Sequence, residues 1–510
     1  MKNILNNYLI FFILIFLPYV FYNTGLHGDD YALIKELQNK VYFFKITPSN
    51  IGKYIYNIPS YIIWGFYLLI GDNHLFFYDL LKYFFNTLSI LFIYFFFTSY
   101  LSKEKSLICS FFFILFPTHD TTSFWFMTTP LYVFFPSLIF LAHFLINKNN
   151  YFLGVIILII GSFNYTSIPF IVGLSCIFLF QKKFNKFVLF ASIGSIYVIF
   201  YFIISYFYSP LEQRIDDDLT FIIFFNNLIL QLFSSLEANI GISALLKIFL
   251  SFNNLSLIDY LIGFVASFLI YKISLNYTYD KTNVILISSL LIVFLISLLM
   301  FAITGLYPQT SFSLGNRVTI YGSLPLVIII FSLIKNRLFF LFLSIILCFS
   351  ILGTSKYWKN TNSNHLAVIN SVNDNNSLNK LKENDILFIK DNLYGYMGHI
   401  AHTEFLITPW VNQHIFKNFE KFKIVPVVSY ISIDSNNIIN FKDNSSIKAD
   451  GNLYLYDTSI NVLKDINLID MKSLLEDQKP IVRHWLQLDS FSLISKYVIY
   501  LSPRLKYLFL

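Results

Sequence analysis

The chain alternates long apolar runs with short polar loops, and this pattern predicts a bundle of membrane-spanning helices. A helix that crosses a bilayer needs about 20 mostly apolar residues. Runs that approach this length lie at 8–23, 78–100, 105–117, 129–147, 151–164, 166–181, 186–208, 256–275, 282–305, 318–334 and 337–353. We therefore predict a polytopic α-helical membrane protein with about 11 transmembrane helices.

The basic residues between these runs predict the orientation, because cytoplasmic loops are enriched in lysine and arginine. With a cytoplasmic N-terminus, the inner loops contain Lys103, Lys105, Lys148, Lys182, Lys183, Lys186, Lys272, Lys281, Lys335 and Arg337. This alternation requires that the segment 51–70, which Lys53, Asn57 and Pro59 interrupt, does not cross. We predict an interfacial helix there, on the outer face. The apolar stretch 219–252 carries Glu237 and Lys247, and both an interfacial and a re-entrant placement stay open.

The chain changes character after position 353, where Asn, Asp, Ser and Lys become frequent. Three β-rich runs, 385–389, 423–428 and 452–456, are bounded by polar turn residues, which is typical of strands. We predict that 1–353 is a transmembrane domain and that 354–510 is a small soluble α/β or α+β domain on the exoplasmic side.

The composition supports a membrane protein, since 56% of the residues are hydrophobic and only 13% are charged. Soluble globular domains have about 25% charged residues. The net charge of +7 is spread along the chain rather than clustered, so a nucleic-acid partner is not expected. Cys109, Cys176 and Cys348 each lie within an apolar run and are expected to be buried, without disulfides.

Polar residues collect at the predicted outer surface, while the middles of the predicted spans are almost free of charge. The candidates there are His27, Asp29, Asp30, Tyr31, His119, Asp120, Asn316 and Arg317, with Glu212, Arg214 and Asp216–Asp218 in another outer loop. A transporter usually carries ionisable groups near the middle of the membrane. The distribution therefore favours chemistry at one membrane surface.

Each of these groups also has a purely structural interpretation. The acidic pair and the Asp216–Asp218 stretch are compatible with solvated loops, and Arg317 with an interfacial anchor. Among more distant residues, His399, His402 and Glu404 look like metal ligands, but the spacing of zinc hydrolases is absent. The sequence identifies no metal site and no cofactor, and it leaves a requirement for a divalent cation open.

The order of these features resembles the GT-C glycosyltransferases, a superfamily that includes protein O-mannosyltransferases and the aminoarabinose transferase of lipid A. The matching motifs are Asp29-Asp30, the stretch 54–59 followed by Gly71, the basic loop 101–105, Pro117-Thr-His-Asp120 and the stretch 316–325, which opens with Asn316-Arg317 and ends at Pro325. The resemblance covers 1–353. It departs from the family where Val318 replaces the usual tyrosine after the arginine, and where Asp30 stands in place of a frequent glutamate.

The resemblance implies an inverting transferase that takes a sugar from a polyprenyl-phosphate donor at the outer face of a bacterial-type inner membrane. The acceptor is a glycan, a lipid or a protein. The implied catalytic residues are Asp29, Asp30 and Asp120, with Arg317 on the donor phosphate. His27, Tyr31, His119 and Asn316 are the implied substrate contacts.

Three other functions stay open from the sequence. A polymerase or ligase of lipid-linked surface polysaccharide would carry its key arginines in large outer loops. A transporter or flippase of lipid-linked sugar would show internal symmetry and charges near the middle of the membrane. A non-catalytic scaffold would tolerate loss of the outer acids.

Overall fold

The computed structural model of the chain describes residues 10–38, 58–72, 74–207, 219–275, 283–305, 309–312, 314–334, 336–390, 415–416, 423–426, 430–433, 438–441, 446–448, 451–458 and 460–476. These residues form two compact units. The first falls within Met1–Thr24, Tyr42–Ile70 and His74–Trp358, and the second within Gly25–Val41, Gly71–Asn73 and Lys359–Leu510.

The described chain is mostly helical. Its α-helices are Leu17–Phe21, Asp29–Gln38, Ile58–Ile70, Leu75–Phe97, Lys103–Ile114, Thr121–Phe124, Phe135–Asn147, Tyr151–Ser162, Ile168–Phe180, Phe184–Gly194, Ile196–Phe207, Phe221–Ile240, Ile242–Ser251, Leu257–Ser274, Val284–Thr304, Ile320–Leu333, Arg337–Asp374 and Leu468–Glu476. Shorter turns are π-helical at Phe12–Phe16 and Pro130–Phe134, and 3-10 at Pro117–His119, Tyr165–Ser167, Phe252–Asn254, Leu314–Thr319 and Asn376–Lys380.

The described part of the chain has six helices that are long and apolar enough to cross a membrane, and seven if one bent pair is counted as a span. The six are Leu75–Phe97, Pro130–Asn147, Phe221–Ser251, Leu257–Ser274, Val284–Thr304 and Arg337–Asp374. The predicted number of about 11 spans is therefore higher than the number found among the described residues. The membrane character itself is supported by these helices.

Short helices explain most of the difference. The predicted spans 8–23, 105–117 and 318–334 contain the described helical segments Phe12–Phe21, Lys103–Ile114 and Asn316–Ser332. At 1.5 Å per residue, a helix of 12 residues is ~18 Å long, whereas the hydrocarbon core is ~30 Å thick. In the region 186–208, the described apolar helix is Phe184–Phe200.

Two other regions differ from the sequence prediction. The predicted spans 151–164 and 166–181 form a pair of helices bent by 119° at their junction, which is the geometry of a broken span or a re-entrant loop. The stretch that the sequence left open between interfacial and re-entrant placement forms the candidate span Phe221–Ser251. Of the predicted interfacial segment, 58–70 is a helix of 13 residues, and 51–57 lies outside the described residues.

The helix Arg337–Asp374 passes through the predicted domain boundary at 354 and is 38 residues long. The two compact units divide between Trp358 and Lys359. The second unit also includes the described residues between Gly25 and Gln38, so the predicted acidic pair is grouped with the later part of the chain.

Two helices of the first unit approach each other closely at Gly353. A Cβ atom at this position would overlap the backbone carbonyl of Ser251, and the hydroxyls of Ser251 and Ser350 are 3.1 Å apart. Glycine is therefore required where Ile242–Ser251 meets Arg337–Asp374.

We expect Gly353→Ala to destabilise the protein by about 1–3 kcal/mol, the usual cost of overpacking, because the clash is with backbone rather than with a movable side chain. The measurement is thermal unfolding in detergent. The matched control is Gly65→Ala in the helix Ile58–Ile70, where an added Cβ meets nothing within 4 Å. Equal unfolding temperatures for the two variants would contradict the close approach.

The strands of the second unit form two small sheets. They are β1 (Ile386–Lys390), β2 (Lys423–Pro426), β3 (Tyr430–Ile433), β4 (Ile438–Phe441), β5 (Ser446–Lys448), β6 (Leu453–Asp457) and β7 (Val462–Asp465). The order of the first sheet is β2-β1-β6-β7, with β1 parallel to β2 and β6, and β7 antiparallel to β6. The second is the antiparallel sheet β3-β4-β5. The three strands predicted from the sequence are confirmed.

A hydrophobic core holds this strand-containing region together. Phe388 of β1, Val425 of β2, Ile439 of β4 and Met471 of the helix Leu468–Glu476 are fully buried in one cluster. Alternation along β6 places Leu453 and Leu455 in the same cluster, as expected for a strand whose side chains point to opposite faces in turn.

Candidate active site

The first candidate site is built around Asp120, which follows the 3-10 turn Pro117–His119. The backbone carbonyl of Asp120 accepts hydrogen bonds from the amides of Ser123 (3.0 Å) and Phe124 (2.9 Å) and so begins the short helix Thr121–Phe124. Proline at the start of the turn supplies the fixed backbone angle that such a turn needs. The result is a carboxylate held on a tight, buried turn, with only 3% of Asp120 exposed.

Three donors from distant parts of the chain converge on this carboxylate. Lys247 Nζ and Asn316 Nδ2 both donate to Oδ1, each at 2.6 Å. Trp358 Nε1 donates to Oδ2 at 2.8 Å. Lys247 and Trp358 are fully buried, so the ion pair between Lys247 and Asp120 is shielded from water.

Lys247 belongs to a buried polar stripe that the sequence prediction missed. Its ammonium also donates to the backbone carbonyl of Ser311 and lies 5.9 Å from the centre of the Phe312 ring. Polar residues recur at every fourth position on the two helices of this span, at Gln231, Ser235, Asn239, Ser243, Lys247 and Ser251, and all of them are buried. That spacing, which marks one helix face, is the signal that would have revealed Lys247.

The 3-10 turn Leu314–Thr319 packs against the turn that carries Asp120. Asn316 Oδ1 accepts hydrogen bonds from the amide of Thr121, at 3.3 Å, and from the hydroxyl of the same residue. The hydroxyl of Thr319 donates to the backbone carbonyl of Thr118 at 3.0 Å. The two turns are therefore joined on both sides of Arg317.

Arg317 lies over an aromatic ring. Its guanidinium carbon is 5.8 Å from the centre of the Tyr132 ring, a cation–π distance. The hydroxyls of Tyr132 and Tyr165 are 2.8 Å apart. Tyr165 begins the 3-10 turn at the break between the helices Tyr151–Ser162 and Ile168–Phe180. Arg317 and Tyr165 are each partly exposed, so an arginine and a tyrosine reach a partly exposed surface near this break.

His119 is a neutral neighbour of this cluster. Its Nδ1 is 2.9 Å from the hydroxyl of Thr122, and its ring lies near that of Phe116. Burial lowers the pKa of His119 to about 4, so the imidazole carries no charge at neutral pH. His119 therefore adds no cation to the cluster.

The predicted acidic pair lies in the second unit, at the start of the helix Asp29–Gln38. Gly28 precedes it with φ of +50°, a conformation that favours glycine. The amide of His27 donates to Asp30 Oδ2 at 2.9 Å, and Asp30 is buried. Asp29 is half-buried. Both carboxylates occupy the first turn, where the helix dipole favours negative charge.

Two more predicted substrate contacts lie beside the acidic pair. The rings of His27 and His365 are 5.5 Å apart and meet edge to face. Burial, followed by the nearby carboxylates of Asp30 and Asp72, raises the pKa of Tyr31, so its phenol stays protonated and is a hydrogen-bond donor. The predicted site residues thus fall into two groups, His119, Asp120, Asn316 and Arg317 in the first unit and His27, Asp29, Asp30 and Tyr31 in the second.

A second buried charge pair lies in the first unit and was also missed. Lys82 Nζ is 3.0 Å from Asp79 Oδ1 on the candidate span Leu75–Phe97. Both groups hydrogen-bond the hydroxyl of Thr24, at 2.6 and 2.9 Å respectively. This pair lies in the first part of Leu75–Phe97, and Lys247 lies near the end of Phe221–Ser251, so the expectation that the middle of each span is almost free of charge stays a prediction.

No group of three potential metal ligands occurs among the described residues. His399, His402 and Glu404, and the outer stretch from Glu212 to Asp218, lie outside them. No protein-family model, curated protein or solved structure matches this chain. Its function is therefore inferred from its own residues.

Proposed function

We propose that this protein is a membrane glycosyltransferase that transfers a sugar from a polyprenyl-phosphate donor to a glycan, lipid or protein acceptor, with a layout like that of the GT-C superfamily. The observation that carries the proposal is the difference between the two acids of the pair. Asp30 is buried and bonded to the backbone, whereas Asp29 is half-buried on the same helical turn. Adjacent carboxylates in different environments are typical of sites that divide catalytic roles.

In the proposed reaction, Asp29 accepts the proton of the acceptor hydroxyl as general base. The acceptor oxygen attacks the anomeric carbon of the sugar, the bond from that carbon to the phosphate oxygen breaks, and the configuration inverts. Polyprenyl phosphate leaves. Arg317 binds the departing phosphate, because its planar fork donates two hydrogen bonds to phosphate oxygens. Asp30 holds the turn on which Asp29 lies.

We further propose that the site faces the exoplasm, with a cytoplasmic N-terminus and an exoplasmic C-terminal region, in a bacterial-type inner membrane. The support for this orientation is the distribution of lysine and arginine among the loops between the apolar runs of the sequence.

We expect Arg317→Ala to weaken binding of a polyprenyl-phosphate product analogue about 10- to 100-fold, the effect of losing hydrogen bonds to a charged group. The probe is farnesyl phosphate, and the measurement is a ligand-dependent thermal shift of the purified protein in detergent. Farnesol, which has the same chain without a phosphate, is the ligand control.

The matched protein control is Arg337→Ala, because Arg337 is an exposed arginine at the start of another helix. This variant is expected to bind farnesyl phosphate like the unmodified protein. Equal binding by the Arg317 variant, or equal binding of farnesol, would exclude the phosphate role.

One set of observations favours a second function, transport of the lipid-linked sugar. The candidate spans contain the buried charges Asp79, Lys82 and Lys247, and the pair Tyr151–Ser162 and Tyr165–Phe180 is a broken helix. Broken helices and buried charges line the substrate paths of many transporters. The two functions can be distinguished by their products. Only the transferase breaks the bond between sugar and phosphate and releases polyprenyl phosphate, whereas a transporter moves the intact donor.

A further inference from the structure

We propose that the buried ion pair between Asp120 and Lys247 is a positioning device that fixes the Leu314–Thr319 turn and thereby aims Arg317. This inference rests on the proposed role of Arg317 as the phosphate ligand. It assigns Asp120 to the support of that residue, whereas the sequence predicted Asp120 to be catalytic.

The first step of the argument is connectivity. Asp120 joins four segments that are far apart in sequence, because its carboxylate accepts from Lys247, Asn316 and Trp358. Lys247 extends the network to the backbone carbonyl of Ser311, just before the turn. The ion pair is thus bonded to the turn through the Asn316 side chain and to the segment just before the turn through the Ser311 carbonyl.

The second step is the position of Arg317 within these bonds. It lies between Asn316, which bonds Asp120 and Thr121, and Thr319, which bonds the Thr118 carbonyl at 3.0 Å. Its guanidinium rests over Tyr132. Asn316 and Thr319, on either side of Arg317, are both bonded to the turn that carries Asp120. The backbone from which Arg317 extends therefore has little freedom to move.

The third step is that stability alone is a poor explanation for this pair. Moving two charges out of water costs several kcal/mol for each ion, and an apolar pair of similar volume is often as stable or more so. The better attested role of buried charges is to select one arrangement of the surrounding chain. Here the pair selects the arrangement that holds the turn.

The fourth step concerns the number of acceptors. A carboxylate has two oxygens, and those of Asp120 serve three donors. An asparagine side chain has one oxygen and an NH₂ group that donates. In Asp120→Asn, the new NH₂ group would therefore point at one or more of the donors Lys247, Asn316 and Trp358, and each such donor would lose its acceptor. The variant keeps the volume of the side chain but breaks the network.

The first test measures the turn without any ligand. In Asp120→Asn, we expect the backbone amides of peptides covering 309–319 to exchange with deuterium ~10-fold faster, the effect of losing one charge-assisted hydrogen bond. The control is Ser267→Ala, which removes a buried hydroxyl whose hydrogen bonds go to the Gly263 and Ser344 carbonyls, both outside the turn. Unchanged exchange in the Asp120 variant would overturn the inference.

The second test asks whether the pair acts through Arg317. Asp120→Asn should weaken farnesyl phosphate binding ~10-fold, within the range of coupling energies for residues in one network. In an Arg317→Ala background it should weaken binding no further. An equal loss in both backgrounds would overturn the inference. If the unmodified protein binds no farnesyl phosphate, the proposed function fails, while the exchange experiment still decides whether the pair holds the turn.

Discussion

Replacement of Asp29 by asparagine is expected to lower sugar transfer by ~10²–10⁴-fold, the usual effect of removing a general base. The amide keeps the size of the carboxylate but does not accept the proton of the acceptor hydroxyl. Binding of farnesyl phosphate should stay unchanged, because the proposed phosphate ligand is Arg317. A loss of transfer without a loss of product binding would separate the two roles.

The assay follows labelled sugar from synthetic polyprenyl-phosphate sugars into product, with the protein in proteoliposomes and its amount checked for each variant. The matched control is Glu36→Gln, a half-buried acid on the same helix as Asp29. Full activity in both Asp29→Asn and Asp30→Asn would exclude the proposed base. Movement of intact donor across the bilayer, with its bond from sugar to phosphate unbroken, would support transport instead.

The sequence was most informative where a residue is both polar and next to a predicted span end. Asp120, His119 and Asn316 were singled out in this way, and the structure brings Asp120 and Asn316 into one network. The short strands β1, β2 and β6 were also predictable, since β-rich runs bounded by polar residues need little tertiary information.

The number of spans was harder to predict, because the breaks depend on tertiary hydrogen bonds. At the break between Ser162 and Tyr165, the side chains of Asn164 and Thr166 donate to the carbonyl of Leu131, which lies on another helix. An apolar run contains no signal for such a partner. Length alone then suggested separate spans.

Lys247 was missed for a related reason. Within the apolar stretch 219–252, one lysine predicts a snorkelling or interfacial side chain, and only its contact with Asp120 makes it a buried partner. The recurrence of polar residues at every fourth position shows which helix face is polar. It does not show which residue that face contacts. Pairing over 127 positions of sequence is set by the packing of the helices.

The same contact leads to a prediction about folding. Lys247→Met is expected to destabilise the protein by about 3–5 kcal/mol, the usual cost of leaving one charge of a buried pair without its partner. In the single variant, Asp120 keeps two neutral donors, Asn316 and Trp358, but loses its counterion. The measurements are the yield of monodisperse protein and its thermal unfolding in detergent.

The double variant Asp120→Asn with Lys247→Met separates the charge from the packing. It removes both charges, so it should recover part of the stability lost in Lys247→Met, since a buried ion pair often contributes little net stability. Recovery is partial because the new amide NH₂ faces one of the two remaining donors, Asn316 and Trp358. Lys183→Met is the matched control, because Lys183 is exposed and exposed pairs contribute about 0–1 kcal/mol. If the double variant is stable, yet the backbone amides of peptides covering 309–319 exchange faster with deuterium, the ion pair positions the turn and is not needed for folding. If the double variant is less stable than Lys247→Met, the two charges do not act as a pair.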